Sequence, residues 1–153
     1  MGLEIERKFL VTPEALLQGE KVYIAQGYLQ SDIDRTVRVR IKGQQGFLTI
    51  KGKTQGISRQ EFEYEIPVKE AQDILKLCHS HQLEKYRYYV TIGGKLWEVD
   101  EFLGDNRGLL LAEIELESED EQFDRPSWII EEVSEDKRYF NSYLAQNPFN
   151  TWK

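Results

Sequence analysis

Acidic and basic side chains recur at every second position along several short runs of this chain. Glu4, Glu6 and Lys8 form one such run, and Arg38 and Arg40 form another. Residues i and i+2 lie on the same face of a β-strand, so each run gives its strand one charged face. Arginine and lysine bind phosphate oxygens, whereas carboxylates bind hard divalent cations. The pattern therefore predicts a site for a strongly anionic ligand accompanied by divalent metal.

When the residues of each run are sorted into odd and even positions, ions of both signs fall on one face of the predicted sheet. The predicted cations are Lys8, Arg38, Arg40, Lys51, Lys53, Lys85 and Arg87. The predicted anions are Glu4, Glu6, Glu61, Glu63, Glu98, Asp100, Glu113 and Glu115. A sheet with one wet face also alternates, but such faces usually mix Thr, Ser and Gln with lone charges. Because adjacent like charges repel, we favour a face whose ions surround a ligand.

Eight runs alternate between apolar and polar residues with a period of two, which is typical of half-buried strands. They are Leu3–Val11, Val22–Gln30, Thr36–Lys42, Gly46–Lys53, Ser58–Pro67, Glu84–Ile92, Lys95–Leu103 and Leu109–Glu117. The glycines of 43–46 and 92–95 fit short hairpin turns, which join antiparallel strands. Eight strands are enough to close a barrel.

Helices are expected to be few. Thr12-Pro13-Glu14 opens a short one, and Lys69–Cys78 carries apolar residues at helical spacing. Ser118 with Glu121 is a capping-box pattern that predicts a helix start, and Ser134-Glu135-Asp136 predicts a last helix toward Ala145.

The charged face could point into a barrel or out of it. An apolar interior would make a cup for a greasy ligand. However, the predicted helices need an apolar surface to pack on, and Phe9, Phe62 and Trp97 on the opposite face suit them. We therefore expect an α+β, mainly β fold: a closed eight-stranded antiparallel β-barrel with a charged lumen and a few flanking helices.

Composition narrows the class of protein. The 153 residues include 27 acidic and 20 basic side chains, a net charge of −7, which argues against a general nucleic-acid binder. No apolar run is long enough for a membrane span, and the N-terminus lacks the features of a signal peptide. The single cysteine fits a reducing compartment. We expect one domain over residues 1–153 in the cytoplasm.

Ordered motifs along nearly the whole chain resemble those of the CYTH superfamily, the triphosphate tunnel metalloenzymes. Glu4-Ile5-Glu6-Arg7-Lys8 is similar to the family's ExExK signature. The further matches, in the family's order, are Arg38-Val39-Arg40, Thr49-Ile50-Lys51, Arg59–Glu63, Lys85–Tyr88, Glu98-Val99-Asp100, Glu113-Ile114-Glu115 and Glu132–Tyr139. Lys53 and Glu117 extend their motifs with charges that the family does not generally require. The short form of the chain resembles the bacterial inorganic triphosphatases of this superfamily.

The resemblance implies a metal-dependent triphosphatase that hydrolyses tripolyphosphate to pyrophosphate and phosphate with a metal-activated water. The implied cofactor is Mg²⁺ or Mn²⁺, with two ions. The implied metal ligands are Glu4, Glu6, Glu61, Glu63, Asp100, Glu113 and Glu115; Glu61 and Asp100, with Glu98, are also candidates to orient the ligands. The implied substrate-binding residues are Lys8, Arg38, Arg40, Lys51, Lys53, Lys85, Arg87 and Lys137. The implied catalytic residues are Glu4, Glu6, Lys8, Lys85 and Tyr28, where Tyr28 either closes a tunnel mouth or is a strand aromatic.

Other functions stay open at this point. The superfamily includes class IV adenylyl cyclases and hydrolases of nucleoside, thiamine or RNA triphosphates, and a non-catalytic polyphosphate-binding module would need the same charges. A glycosidase is disfavoured, because the cations would suppress the raised pKa that its acid requires. The outward apolar face exceeds what a few helices can cover, which predicts a homodimer.

Overall fold

The computed structural model describes residues 2–17, 19–78 and 82–152. Nine antiparallel strands dominate these residues. They are β1 (Leu3–Val11), β2 (Lys21–Asp32), β3 (Arg35–Lys42), β4 (Gln45–Gly52), β5 (Ser58–Ile66), β6 (Leu83–Ile92), β7 (Lys95–Phe102), β8 (Leu110–Glu115) and β9 (Ile129–Glu132). The helices are α1 (Val68–Leu75) and α2 (Asn141–Leu144), with 3₁₀ turns at Pro13–Leu16, Gly104–Asn106, Lys137–Tyr139 and Phe149–Thr151. None of these helices is long and apolar enough to cross a membrane.

The strands close into a barrel in the order β5-β4-β3-β2-β6-β7-β8-β1. Closure is made by β1 and β5, where Leu3, Glu4 and Ile5 pair with the first residues of β5. The eight-stranded antiparallel barrel predicted from the sequence is confirmed, and each predicted run matches a strand to within two residues at its ends. The ninth strand, which was not predicted, pairs with the second half of β1 outside the closed ring.

The two faces of the barrel wall differ as the parity of the runs predicts. Inward positions carry the charges, and outward positions such as Phe9 and Trp97 are fully buried. What covers these two rings is not a helix but the irregular segment 117–128, whose Phe123 and Trp128 stack on Trp97 edge to face. Phe62, expected to pack under a helix, is instead 42% exposed.

The helix predicted after Ser118 is absent, since residues 117–121 form turns. The Glu121 carboxylate accepts a hydrogen bond from the Glu117 backbone N–H at 2.6 Å and pairs with Lys95. The Ser118 hydroxyl bonds Asp120 at 2.8 Å rather than a helical backbone amide. The capping residues therefore close a turn, which lets the chain return over the outer face.

One end of the barrel is covered by residues 133–152, which we call the C-terminal segment. On this side the inward positions become apolar, and Leu83, Phe102 and Leu111 pack against Tyr139 and Leu144. The single helix predicted from Ser134 to Ala145 is broken into the 3₁₀ turn at Lys137–Tyr139 and α2. Phe140 separates them in an extended conformation, with its ring against Lys8 and Arg59.

Helix α1 packs on the outer face of β2, β3 and β4. Two glycines permit the close approach: a Cβ on Gly46 would lie 2.8 Å from the Ala71 Cβ, and one on Gly27 would lie 2.9 Å from the Cys78 Sγ. The helix therefore supports the wall that carries Arg38 and Arg40.

Candidate functional site

The barrel encloses a cavity of about 370 Å³. Inward positions of all eight barrel strands form its wall, because alternation turns every second residue toward the lumen. Most of the residues predicted from the sequence line it: Glu4, Glu6, Lys8, Tyr28, Arg38, Arg40, Lys51, Glu61, Glu63, Lys85, Arg87, Glu98, Glu113 and Glu115. The charged lumen is therefore a property of the folded protein.

Three predicted site residues lie elsewhere. Lys53 follows the last residue of β4, its side chain is 63% exposed, and its Nζ lies 3.9 Å from the Asp34 carboxylate. The alternation of inward and outward side chains holds only within a strand, and β4 ends one residue before Lys53. The prediction that Lys53 lies in the lumen was therefore wrong. Lys137 is exposed on its 3₁₀ turn and does not line the cavity. Asp100 lies behind the lining residues, almost fully buried.

Asp100 and the two cations of β6 form what we call the ion-paired base. The Asp100 carboxylate accepts hydrogen bonds from Arg87 at 2.8 and 3.0 Å, and the Lys85 Nζ lies 2.8 Å from the same carboxylate. Burial acts to raise the pKa of Asp100, but the charges of Arg87 and Lys85 outweigh it and lower that pKa. The oxygens of Asp100 are thus already occupied by protein cations, which favours a role in orienting them.

Glu4, Glu6, Glu113 and Glu115 form what we call the carboxylate cluster. Glu6 lies opposite Glu115 across the β1–β8 ladder. Burial, together with the charges of Glu113 and Glu4, raises the pKa of Glu6 to about 8. Burial and neighbouring carboxylates also raise the pKa of Glu115. Protein cations therefore leave part of this cluster unneutralised.

The carboxylate cluster suits a divalent cation by its chemistry. Hard cations prefer carboxylate oxygens, and an added positive charge would counteract the burial and the repulsion that together raise the pKa of Glu6. Among the described residues no three acidic, histidine or cysteine side chains already converge in metal-binding geometry. The suitability of the cluster for a divalent cation consequently rests on its carboxylate oxygens and on the lack of cation partners for some of them.

The cations of the cavity differ in how far they are neutralised. Lys8 lies 3.2 Å from Glu113, and Lys51 lies 3.0 Å from Glu4. Arg40 forms no ion pair with any described residue. Burial, with the charges of Arg38 and Arg87, lowers the pKa of Arg40 to about 9. A buried guanidinium without a carboxylate is the arrangement that an anionic ligand completes.

Tyr28 lies inside the wall of the cavity rather than at an exposed rim. It is 4% exposed, pairs with Arg38 across β2 and β3, and its hydroxyl lies 3.3 Å from the Gln26 side-chain nitrogen. Its phenol therefore faces the space where a ligand would lie.

The structure adds cavity residues that sequence reasoning missed. They are Thr36, Lys42, Arg59, Lys95, Asn141 and Ser142. Arg59 shares the parity of Glu61 and Glu63, so its inward position could have been found by the same sorting. Asn141 and Ser142 arrive from the C-terminal segment, and no charge or alternation marks them.

Comparisons with known proteins agree with this geometry. Residues 2–143 match the CYTH domain, and the chain belongs to that family. It is 51% identical over 155 residues to a protein named inorganic triphosphatase from Acetivibrio thermocellus, covering 100% of this chain and 99% of the relative. It is 41% identical to a protein of the same name from Nitrosomonas europaea, covering 93% and 96%.

Solved structures of other proteins are also similar to this chain. A crystal structure of an inorganic triphosphatase superposes with a TM-score of 0.65 at 39% identity, covering 93% of each chain. A conserved hypothetical protein from Pyrococcus furiosus has a TM-score of 0.59 at 20% identity, covering 76% of this chain and 80% of its own, and shares the fold.

Proposed function

We propose that this protein is a metal-dependent inorganic triphosphatase that hydrolyses tripolyphosphate to pyrophosphate and phosphate. The observation that carries the proposal is that one cavity holds unpaired groups of both kinds: among the described residues Arg40 has no carboxylate partner, and Glu6, which lies opposite Glu115, has no cation partner. A triphosphate bound with divalent cations satisfies both at once. The two relatives named inorganic triphosphatase support this choice of substrate.

The roles proposed for the residues follow from their positions. Lys8, Arg38, Arg40, Lys51, Lys85 and Arg87 hold the phosphate oxygens, with arginine as a two-pronged donor and lysine as a point charge. Glu4, Glu6, Glu113 and Glu115, with Glu61 and Glu63 beside them, would hold two ions, Mg²⁺ or Mn²⁺. When bound, such an ion acidifies a water and neutralises charge on the phosphate oxygens. Tyr28 is proposed to orient a phosphate oxygen through its hydroxyl.

The remaining work of the chain is alignment. Phosphoryl transfer to water needs little covalent participation by the protein, so positioning and charge stabilisation supply most of the catalysis. Asp100 orients Lys85 and Arg87 instead of binding metal, as its short hydrogen bonds and ion pair indicate. Water attacks the terminal phosphorus, and pyrophosphate leaves with the electrons of the broken P–O bond.

The test is phosphate release from tripolyphosphate and from ATP, with and without Mg²⁺ or Mn²⁺, for the wild type and Glu4→Gln. We expect fast, metal-dependent release from tripolyphosphate that the substitution abolishes. Cyclic nucleotide and pyrophosphate from ATP would indicate a cyclase instead. Binding of tripolyphosphate without turnover would indicate a binding module.

We also propose that the chain is a single domain over residues 1–153 that acts in the cytoplasm as a homodimer. Ile50 and Phe62 pair across β4 and β5 on the outer face and are 40% and 42% exposed, and Tyr64 and Leu3 lie on the same face at 56% and 58%. Burying such a patch against a second copy would remove it from water. A monomer by light scattering at micromolar concentration would contradict the dimer.

A further inference from the structure

Two neutral side chains connect the C-terminal segment to cations of the cavity. The Asn141 Oδ1 accepts a hydrogen bond from the Lys85 Nζ at 2.7 Å and one from the Gln26 Nε2 at 3.3 Å. The Gln26 Oε1 accepts in turn from the Arg40 Nε at 3.0 Å. Asn141 therefore contacts Lys85 directly and Arg40 through Gln26. We call Asn141 and Gln26 the amide relay.

The amide relay differs from the other contacts made by the cavity cations. Lys8 and Lys51 are held by carboxylates, which fix their direction but also neutralise them. Amides fix the direction of a cation without adding a negative charge beside it. Among the described residues Arg40 has only such a partner, whereas Lys85 is held by Asn141 and by the Asp100 carboxylate. Gln26 is completely buried, so its side chain has no alternative partner in water.

The donors left over on these cations indicate where the ligand would lie. A lysine ammonium has three donors, and Lys85 spends two of them on Asp100 and Asn141. The Arg40 Nε is taken by Gln26, which leaves the two terminal nitrogens of its guanidinium. Both cations line the cavity near the end that the C-terminal segment covers.

We propose that Asn141 is a positioning residue for phosphate binding: through the amide relay it directs Lys85 and Arg40 toward a phosphate group at the covered end of the barrel, without adding a negative charge beside either cation. The inference rests on the proposed function, because it requires a polyphosphate in the cavity. It gives the C-terminal segment a direct part in substrate binding, beyond packing on the barrel end.

The decisive variant is Asn141→Asp, which keeps the size and the acceptor oxygen but places a negative charge beside Lys85. With Mg²⁺ present we expect KM for tripolyphosphate to rise at least about tenfold, with a smaller change in kcat. Asn141→Ala removes the acceptor without adding charge, so its KM should rise less. Asn150→Asp is the matched control, since it makes the same change on an exposed residue of the same segment and should leave KM within about twofold.

A second variant tests the relay from its other member. Gln26→Glu places the new charge beside Arg40, and it should raise KM in the same direction. The melting temperature of each variant reports its folding, and titration calorimetry with tripolyphosphate in the absence of metal measures binding without turnover. If Asn141→Asp does not fold, Asn141→Ala and Gln26→Glu decide the outcome.

The outcomes separate the relay from the proposed function. A wild type that hydrolyses tripolyphosphate while folded Asn141→Asp and Gln26→Glu keep KM within about twofold would overturn the relay and leave the triphosphatase intact. A wild type that binds tripolyphosphate without hydrolysing it would overturn the triphosphatase, and weaker calorimetric binding by both variants would still support the relay.

Discussion

The ion-paired base and the carboxylate cluster are built from the same residue types inside one barrel, yet Asp100 of the first and Glu6 of the second behave in opposite ways. Asp100 has two cations within hydrogen-bonding distance, and its pKa is lowered. Glu6 is surrounded by other carboxylates, and its pKa is raised to about 8. The difference shows that the first group is complete within the protein, whereas in the second only Glu4 and Glu113 have cation partners among the described residues. Substitutions in the first should cost stability, and substitutions in the second should cost activity.

The largest effect is expected for Asp100→Asn. The change leaves Lys85 and Arg87 buried without their carboxylate, and breaking a buried ion pair in this way costs about 3–5 kcal/mol of unfolding free energy. Urea unfolding of the metal-free protein measures it. Glu101→Gln, the next residue on the outward side of β7, is the control and should cost about 1 kcal/mol or less. Equal losses for the two variants would contradict the ion-paired base.

Glu6→Gln is expected to lower metal-dependent phosphate release by at least about a hundredfold, because it removes a ligand charge from the carboxylate cluster. Without metal the same variant should be at least as stable as the wild type, since it relieves repulsion among buried acids. Initial rates and urea midpoints give the two readouts. Glu131→Gln changes an exposed acid on β9 and serves as the control.

The pH dependence of stability should separate the same two groups. The pKa of Glu6 rises from its usual 4.5 to about 8 on folding, so between these values the folded protein holds a proton that the unfolded chain has released. The unfolding free energy of the metal-free protein should therefore fall as pH rises through this window, by at most about 1.4 kcal/mol per pH unit from this group.

Glu6→Gln should remove that slope, which urea unfolding from pH 5 to pH 8 in the presence of a chelator would show. Asp100 acts in the opposite sense: its lowered pKa gives stability that is present above its usual 3.8 and is lost as pH falls through its lower folded value. Its contribution therefore lies outside the window. An unchanged slope in the Gln variant would contradict the crowding of carboxylates around Glu6.

The smallest effect is expected for Lys53→Gln. Its side chain lies outside the cavity, so KM and kcat for tripolyphosphate should stay within about twofold of the wild type. Lys51→Gln, two residues earlier and inside the cavity, should raise KM at least about tenfold. A comparable loss in Lys53→Gln would show that the ligand reaches beyond the barrel wall.

Much of this site could be predicted because every second residue of a strand lies on the same face, so odd or even numbering within a run shows which side chains point into the barrel. That is why Glu4, Arg38 and Lys85 were placed correctly without any knowledge of strand order. This alternation stops where a strand ends, and Lys53 lies one residue past the end of β4. Asn141 could not be predicted, because its place depends on the break at Phe140 and on the path of the C-terminal segment across the barrel.

The predicted helix at Ser118 was wrong for a related reason. A capping box is a local pattern, and here the need to cover Phe9 and Trp97 with Phe123 and Trp128 decides the path of the chain. Local signals are reliable in this protein where the structure repeats every two residues. They are unreliable where a contact distant in sequence fixes the backbone.

The way β1 is paired has a consequence for how the protein acquires its shape during synthesis. The meander from β2 to β5 joins neighbours in sequence and can assemble locally, but β1 must wait for β5, β8 and β9, the last more than a hundred residues away. Contacts of such high sequence separation form late and slow the folding of the whole domain. The ExExK strand therefore takes its place among the last elements, and the barrel encloses no cavity until strands more than a hundred residues downstream of it have formed.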